Sequence, residues 1–145
     1  MKISTKGRYA VRLMIDLALR DSKEYISLKD ISSRQDISMK YLEQIVRLLH
    51  SSHLLKSTRG PQGGYKLTRA PKDYTIGDIL RITEGSLAPV SCLDEDPNEC
   101  ASVLKCPTID FWTGLYQCIN DYVDSVTLAD LTEQYKSKIG YDFMI

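Results

Sequence analysis

Three of the chain's four cysteines, Cys92, Cys100 and Cys106, fall within fifteen residues, in the stretch S-C-L-D-E-D-P-N-E-C-A-S-V-L-K-C-P. Thiols this close together can ligate a metal or an iron–sulfur cluster. The stretch is acidic, carries Pro97 and Pro107 and shows no apolar period, which predicts a loop rather than a helix or strand. A loop cannot bury three thiols against a core of its own, so something else must hold them. The spacing lacks the tight C-x2-C pairs of a zinc ribbon or finger. It also differs from the C-x2-C-x2-C run of bacterial ferredoxins. A metal or cluster role and three unrelated free thiols both fit the spacing, and the surrounding elements must decide.

At 145 residues the chain is long enough for one domain with a sizeable core, or a small domain with an appendage. No apolar run approaches the length of a membrane span, so no membrane partner is expected. The opening M-K-I-S-T-K-G-R-Y has no signal-peptide core, and a cytoplasmic location is the expectation. Cytoplasmic thiols are kept reduced, which makes a structural disulfide the least expected use of the cysteines. The net charge of zero conceals an asymmetry. Residues 1–80 hold 15 Lys/Arg against 8 Asp/Glu, and residues 81–145 hold 4 against 11. A basic first half is suited to nucleic acid, although two solvated faces would give the same counts.

The basic half reads as a series of short helices. Ala10, Leu13, Met14 and Leu17 form one stripe on a helix over 5–20. A spacer at 21–24 and a short extended pair, Tyr25-Ile26, follow. Ser27 with Asp30 opens a second helix, with Leu28 and Ile31 inward, that stops near Arg34. Ser38 caps a third, with Ile37 and Leu42 placed as a hydrophobic staple. On that third helix Leu42, Ile45, Val46 and Leu49 share one face. Lys40, Gln44, Arg47 and Ser51 share the other, with Glu43 at its edge. A short helix, a tight turn and a helix with long polar donors outward is the helix-turn-helix pattern. Lys and Arg reach phosphates or guanine edges, and Gln can pair with adenine. His50 and His53, at its end, read as surface residues.

Residues 54–57 and 65–68 then flank the Gly/Pro-rich turn Thr58-Arg59-Gly60-Pro61-Gln62-Gly63-Gly64, which predicts a hairpin. After a helix-turn-helix such a hairpin is a wing. Arg59 at its tip, with Gly60 and Gly63 letting the backbone approach closely, suits a narrow minor groove. Thr75 and Asp78 cap a fourth helix, with Ile76, Ile79 and Leu80 inward, ending near Thr83. Past the cysteines, Pro107 is suited to the first turn of a long helix. Trp112, Leu115, Tyr116, Ile119, Val123 and Val126 form its apolar stripe, which needs a partner surface, most simply its own copy in a two-fold dimer. The alternative is that the helix folds back on its own domain. Cys118 lies off the stripe and is expected to pack as a small apolar residue. Thr127 and Asp130 cap a last short helix, with Leu128 and Leu131 inward, before a polar tail from Gln134. The fold class is therefore mostly α with a small β-hairpin wing. Residues 1–83 form a winged helix-turn-helix, 84–107 the cysteine loop, and 108–145 a dimerisation helix and a C-terminal helix.

The segments K-G-R-Y-A-V (6–11), S-x-x-Y-L-E-Q (Ser38, Tyr41 to Gln44) and R-G-P-x-G-G-Y (59–65) precede the three-cysteine loop in that order. With F-W and V-T-L-A-D-L (126–131), they resemble the Rrf-two family of bacterial winged-helix regulators across nearly the whole chain. The resemblance implies a homodimer, formed through the helix over 108–126, that binds a pseudo-palindromic double-stranded DNA operator. Its implied DNA-facing residues are Ser38, Lys40, Tyr41, Glu43, Gln44, Arg47, Arg59, Gly60 and Gly63. It further implies a [2Fe–2S] or [4Fe–4S] cluster on Cys92, Cys100 and Cys106, a group that aerobic preparation can strip away.

The sequence departs from the family pattern in the cysteine spacing and in the fourth ligand. The first cysteine gap is two residues longer than is usual in IscR-like members. The histidine that IscR-like members place three residues after the last cysteine is Ile109 here, and the N-terminal aspartate of NsrR-like members is matched by Arg8. A fourth ligand is thus unassigned, with Asp94, Asp96, Glu99 and Asp110 as nearby carboxylates. The second reading is a cluster-free, CymR-like regulator controlled by a partner protein or by thiol oxidation. An enzyme would leave the wing unexplained, and the chain shows no nucleotide loop and no paired catalytic residues.

Overall fold

Five helices among the described residues begin at a hydroxyl side chain that accepts an amide three residues on. In the computed structural model, which describes residues 1–20 and 24–143, Ser4 opens α1 (Thr5–Leu19) and Ser27 opens α2 (Leu28–Gln35). Ser38 opens α3 (Met39–Ser51), Thr75 opens α4 (Ile76–Glu84), and Thr127 opens α6 (Leu128–Phe143). At Thr75 and at Thr127 the box is complete, because the carboxylates of Asp78 and Asp130 accept the cap residue's own amide. Residues 21–23 of the spacer lie outside the described residues.

The α1 stripe of Ala10, Leu13, Met14 and Leu17 is buried against Ile31, Leu42, Ile45, Leu49, Leu55, Tyr74 and Ile79. Burying each large aliphatic side chain contributes about 1.5–3 kcal/mol. Ile37 and Leu42 are both buried, so the staple across the α3 cap forms. Asp16 on α1 is the charged exception. It is 1% exposed, receives Arg34 Nη2 at 2.7 Å and Gln35 Nε2 at 2.9 Å, and thereby ties α1 to the end of α2.

The wing is an antiparallel pair, β1 (Leu55–Thr58) and β2 (Gly64–Leu67), in which Leu55 faces Leu67 and Thr58 faces Gly64. Ile26 adds a single bridge on the outside of β2, exchanging both backbone hydrogen bonds with Tyr65. The expected extended segment at Tyr25-Ile26 is therefore one residue pair and part of the wing.

The last long apolar helix, α5 (Ile109–Ser125), runs antiparallel to α4. The Ile76 amide meets the Val126 carbonyl at 2.9 Å, and Arg81 reaches Asn120 and Asp124. The cysteine loop joins these two helices at their shared end and contains two short 3-10 turns, Ser91–Leu93 and Val103–Lys105.

Three sequence expectations need correction. Pro107 precedes the α5 cap residue Thr108 and lies outside the first turn. Val126 leaves the helix in an extended conformation because its carbonyl is taken by Ile76, so it does not continue the stripe as a helical residue. The polar tail expected from Gln134 is helical to Phe143, and α6 packs along α1 with Leu128 fully buried in the common core. No helix among the described residues is long and apolar enough to cross a membrane.

Candidate nucleic-acid interface and cysteine loop

The outward face of α3 follows from its inward one. With Leu42, Ile45, Val46 and Leu49 buried, the helical period leaves Lys40, Glu43, Gln44, Arg47 and Ser51 exposed. Glu43, Arg47, His50, Thr58, Arg59 and Tyr65 line one groove of about 620 Å³ between α3 and the wing. The structure thus brings together three of the residues singled out in the sequence, Glu43, Arg47 and Arg59. Ser38 and Lys40 stand at the start of α3, where Ser38 is occupied as the cap and accepts the Tyr41 amide at 3.2 Å. Gln44 is exposed on the same helix face. Tyr41 is half-buried and meets the Tyr9 ring edge-on, with centroids 5.7 Å apart. Arg12 stacks on the other partner of that pair, 5.3 Å from the Tyr9 centroid.

The wing tip is a tight turn in which the Gly63 amide donates to the Gly60 carbonyl at 2.9 Å. Gly60 has φ +112°, a backbone conformation that side chains disfavour. Arg59 and Gly60 are exposed beside it. Sequence reasoning missed His50, whose Nε2 lies 3.2 Å from Ser57 Oγ and links the end of α3 to β1. It also missed Tyr74, whose buried hydroxyl joins the two ends of the hairpin. The Ser57 pairing has no local signature, but a tyrosine just ahead of the Thr75 cap was visible.

The thiols are arranged differently from a preformed metal site. Cys92 and Cys106 are half-buried, Cys100 and Cys118 are exposed, and all four are free. Cys118 therefore does not pack as an apolar residue, because its position on α5 faces outward. Cys100 sits in a local turn, its amide donating to Asn98 Oδ1 at 2.8 Å. Cys106 lies at the approach to α5, its sulfur 3.6 Å from Thr108 Oγ1. Hydrogen bonds from the Thr108 amide, its hydroxyl and the Ile109 amide hold the Cys106 thiol below its ordinary range, against the opposing charge of Asp110. A helix N-terminus favours a thiolate in this way.

Among the described residues no three His, Cys, Asp or Glu side chains are gathered closely enough to hold a metal ion. The donor set of three thiols has the chemistry of iron–sulfur ligation, and the loop would have to close to bring them together. Ile109, at the position of the IscR-like histidine, is the first residue of α5 and offers no donor.

A family model described as "Rrf2: Iron-dependent Transcriptional regulator" matches residues 3–134. The chain belongs to the Rrf2 family. Protein rrf2 of Nitratidesulfovibrio vulgaris is 37% identical over 131 residues, spanning 90% of this chain and 87% of that one. The HTH-type transcriptional regulator CymR of Bacillus subtilis is 41% identical over 132 residues, spanning 90% and 89%. The solved structure of CymR, the global cysteine regulator of B. subtilis, superposes with a TM-score of 0.76 over 92% of this chain and 98% of its own, at 37% identity. That of T. potens IscR gives 0.71 over 93% and 88%, at 38% identity. This Rrf2 chain is a winged-helix, DNA-binding transcription regulator, not an enzyme. The IscR-like and CymR-like members bracket it almost equally.

Proposed function

We propose that this protein is a homodimeric regulator that grips a pseudo-palindromic operator with two copies of the α3–wing groove. Its operator affinity follows the ligation of Cys92, Cys100 and Cys106 by an iron–sulfur cluster of two or four irons, in response to iron, redox state or nitric oxide. The observation that carries the DNA half is the groove that sets Arg47 and Glu43 of α3 opposite Arg59 of the wing. Arg47 and Lys40 can donate to phosphates or guanine, Gln44 can pair with adenine, and Glu43 can accept from cytosine. Ser38 and Tyr41 position the start of α3, and Arg59, with Gly60 and Gly63, lets the wing enter a minor groove.

The regulatory half is supported by where the cysteines sit. Their loop joins α4, which is part of the core, to α5, the helix expected to form the dimer. Tyr122 at 71% exposure and Phe111 at 65% give α5 an apolar surface for its own copy. When bound, an iron–sulfur group supplies a ligation state that oxygen, iron or nitric oxide can change. The chain's own part is to supply Cys92, Cys100 and Cys106 and, through the α5 N-terminus, to favour the thiolate at Cys106.

The test is an absorption spectrum of protein purified without oxygen, with iron and acid-labile sulfide counted per chain and operator binding measured alongside. Visible charge-transfer absorption with matched iron and sulfide, and operator affinity that changes when Cys100→Ala removes it, is the expected result. A protein that stays colourless after anaerobic reconstitution, with operator binding indifferent to iron, overturns the cluster half. The ungathered cysteines and Ile109 favour a second reading, a cluster-free regulator of the CymR type acting through a partner protein or thiol oxidation. That protein would show operator binding sensitive to oxidant but not to iron.

A further inference from the structure

At the contact between α4 and α5 the side chains of Asp124, Arg81 and Val123 close over Gly77. A Cβ placed on Gly77 would fall inside contact distance of Asp124 Oδ1, and would lie 2.7 Å from Arg81 Nη1 and 3.1 Å from Val123 Cγ2. Over that close approach Arg81 forms a two-pronged pair with Asp124, Nη1 to Oδ1 at 2.7 Å and Nη2 to Oδ2 at 2.9 Å. Its Nη2 also donates to Asn120 at 2.8 Å, one turn earlier on α5. A guanidinium fork held by two acceptors on successive turns fixes direction as well as distance.

The other end of α4 is tied to the reading head. Glu84 Oε1 accepts the Ser4 hydroxyl at 2.6 Å and the Ser4 amide at 3.2 Å, and its carboxylate fills the space a side chain at Gly7 would need. α4 is therefore a crossbar with α1 and the winged core on one side and α5 on the other. The Ile76–Val126 hydrogen bond anchors one end of α5 to α4, and Arg81, Gly77 and Asp124 orient the helix beyond that anchor.

From this geometry we infer that Arg81 determines the operator half-site spacing that the dimer accepts. The inference rests on the reading of the protein as a dimer joined through α5. In such a dimer the separation of the two α3 helices depends on the α4–α5 angle. A helix of 17 residues is about 25 Å long. A swing of about 10° at the clamp moves its far end by about 4 Å, slightly more than one base-pair step of about 3.4 Å. Arg81 does not touch the DNA in this scheme; it is a positioning residue that selects among operators.

The experiment compares the wild type with Arg81→Met, Asp124→Asn and Gly77→Ala on a series of operators. The half-sites stay constant and the central spacer is shortened or lengthened by one base pair. Sedimentation and thermal melting establish that each variant tested is folded and dimeric, and Asp124→Asn, which nearly preserves shape, carries the test if the others are not. The wild type should prefer one spacer. The variants should shift or flatten that preference by about five-fold in relative affinity, about 1 kcal/mol, with half-site base preferences unchanged. Affinity lowered equally for every spacer, or an unaltered preference, overturns the role of Arg81. A wild type that binds no palindromic operator instead overturns the reading beneath it.

Discussion

Tyr74 Oη donates to the Leu54 carbonyl at 2.8 Å while accepting the amides of Thr68 at 2.8 Å and Arg69 at 3.0 Å. One buried phenol thus holds the entry and exit of the wing hairpin together, and the Tyr74 carbonyl accepts the Leu128 amide from the start of α6. Tyr74→Phe keeps the ring and removes the hub, leaving polar backbone groups short of partners. The expected loss is about 1–3 kcal/mol, read as a lower urea midpoint with an unchanged slope. An unchanged midpoint would mean that water replaces the hydroxyl.

Asp16 makes stability sensitive to acid. Burial pushes its carboxyl up, but hydrogen bonds from Arg34 and Gln35 and the charges of Arg34 and Arg20 outweigh burial and hold it below its ordinary value. The native state therefore binds this proton less readily than the unfolded chain does. The stability it contributes is present above the unfolded value of about 3.9 and is lost as pH falls through the lower native value. Asp16→Ala should cost about 3 kcal/mol at neutral pH, the low end for breaking a buried pair, because Arg34 keeps access to water. The gap between the melting temperatures of the two proteins should narrow as pH falls from 7 to 3. Parallel curves would rule out Asp16 as the acid-labile group.

Gly64 is where the wing meets Ile26. A Cβ there would strike the Ile26 carbonyl, a backbone group that cannot rotate aside. Gly64→Ala should cost about 1–3 kcal/mol by overpacking and release the Ile26–Tyr65 bridge. Hydrogen exchange at the Ile26 and Tyr65 amides is the readout, and equal protection in both proteins would contradict the expectation.

Arg59 and Arg47 should separate by salt dependence and base preference. Arg59→Ala should weaken binding to all sequences and reduce the slope of log affinity against log salt by about 1. Arg47→Ala should cost about 1–3 kcal/mol on the preferred operator and relax base choice at one position in each half-site. The reverse pattern in a binding titration would exchange their roles.

The elements that place the interface were legible because their signals are local. Ser38 and Ile37 mark the start of α3 within six residues, and the Gly/Pro turn marks the wing. Pairings between distant segments carry no such signal: Arg81 and Asp124 are 43 residues apart, and His50 and Ser57 meet only once the hairpin folds. The hydrophobic pattern also overran at Val126, an apolar residue in register whose carbonyl is used outside the helix. It fell short on α6, where Gln134, Lys136 and Lys138 are good helix formers with little apolar period. Leu128 and Thr132 bury its first turns, and an exposed Glu133–Lys136 pair adds local support beyond them. The cysteines were visible as a set, but spacing says nothing of whether a loop gathers them.

Because α4 and α5 hold each other directly through Arg81 and Asp124, the length of the segment between them need not fix how the two helices meet, which leaves what that segment binds free to bias them. Adding two residues to a connection of this length costs only about 0.1 kcal/mol in closure entropy. The cysteine loop can thus change in length and in the side chains it carries without dismantling the frame around it. Insertions and cysteine changes are tolerated best there, and chimaeras carrying a loop grafted from a sister regulator should keep the operator choice of the parent.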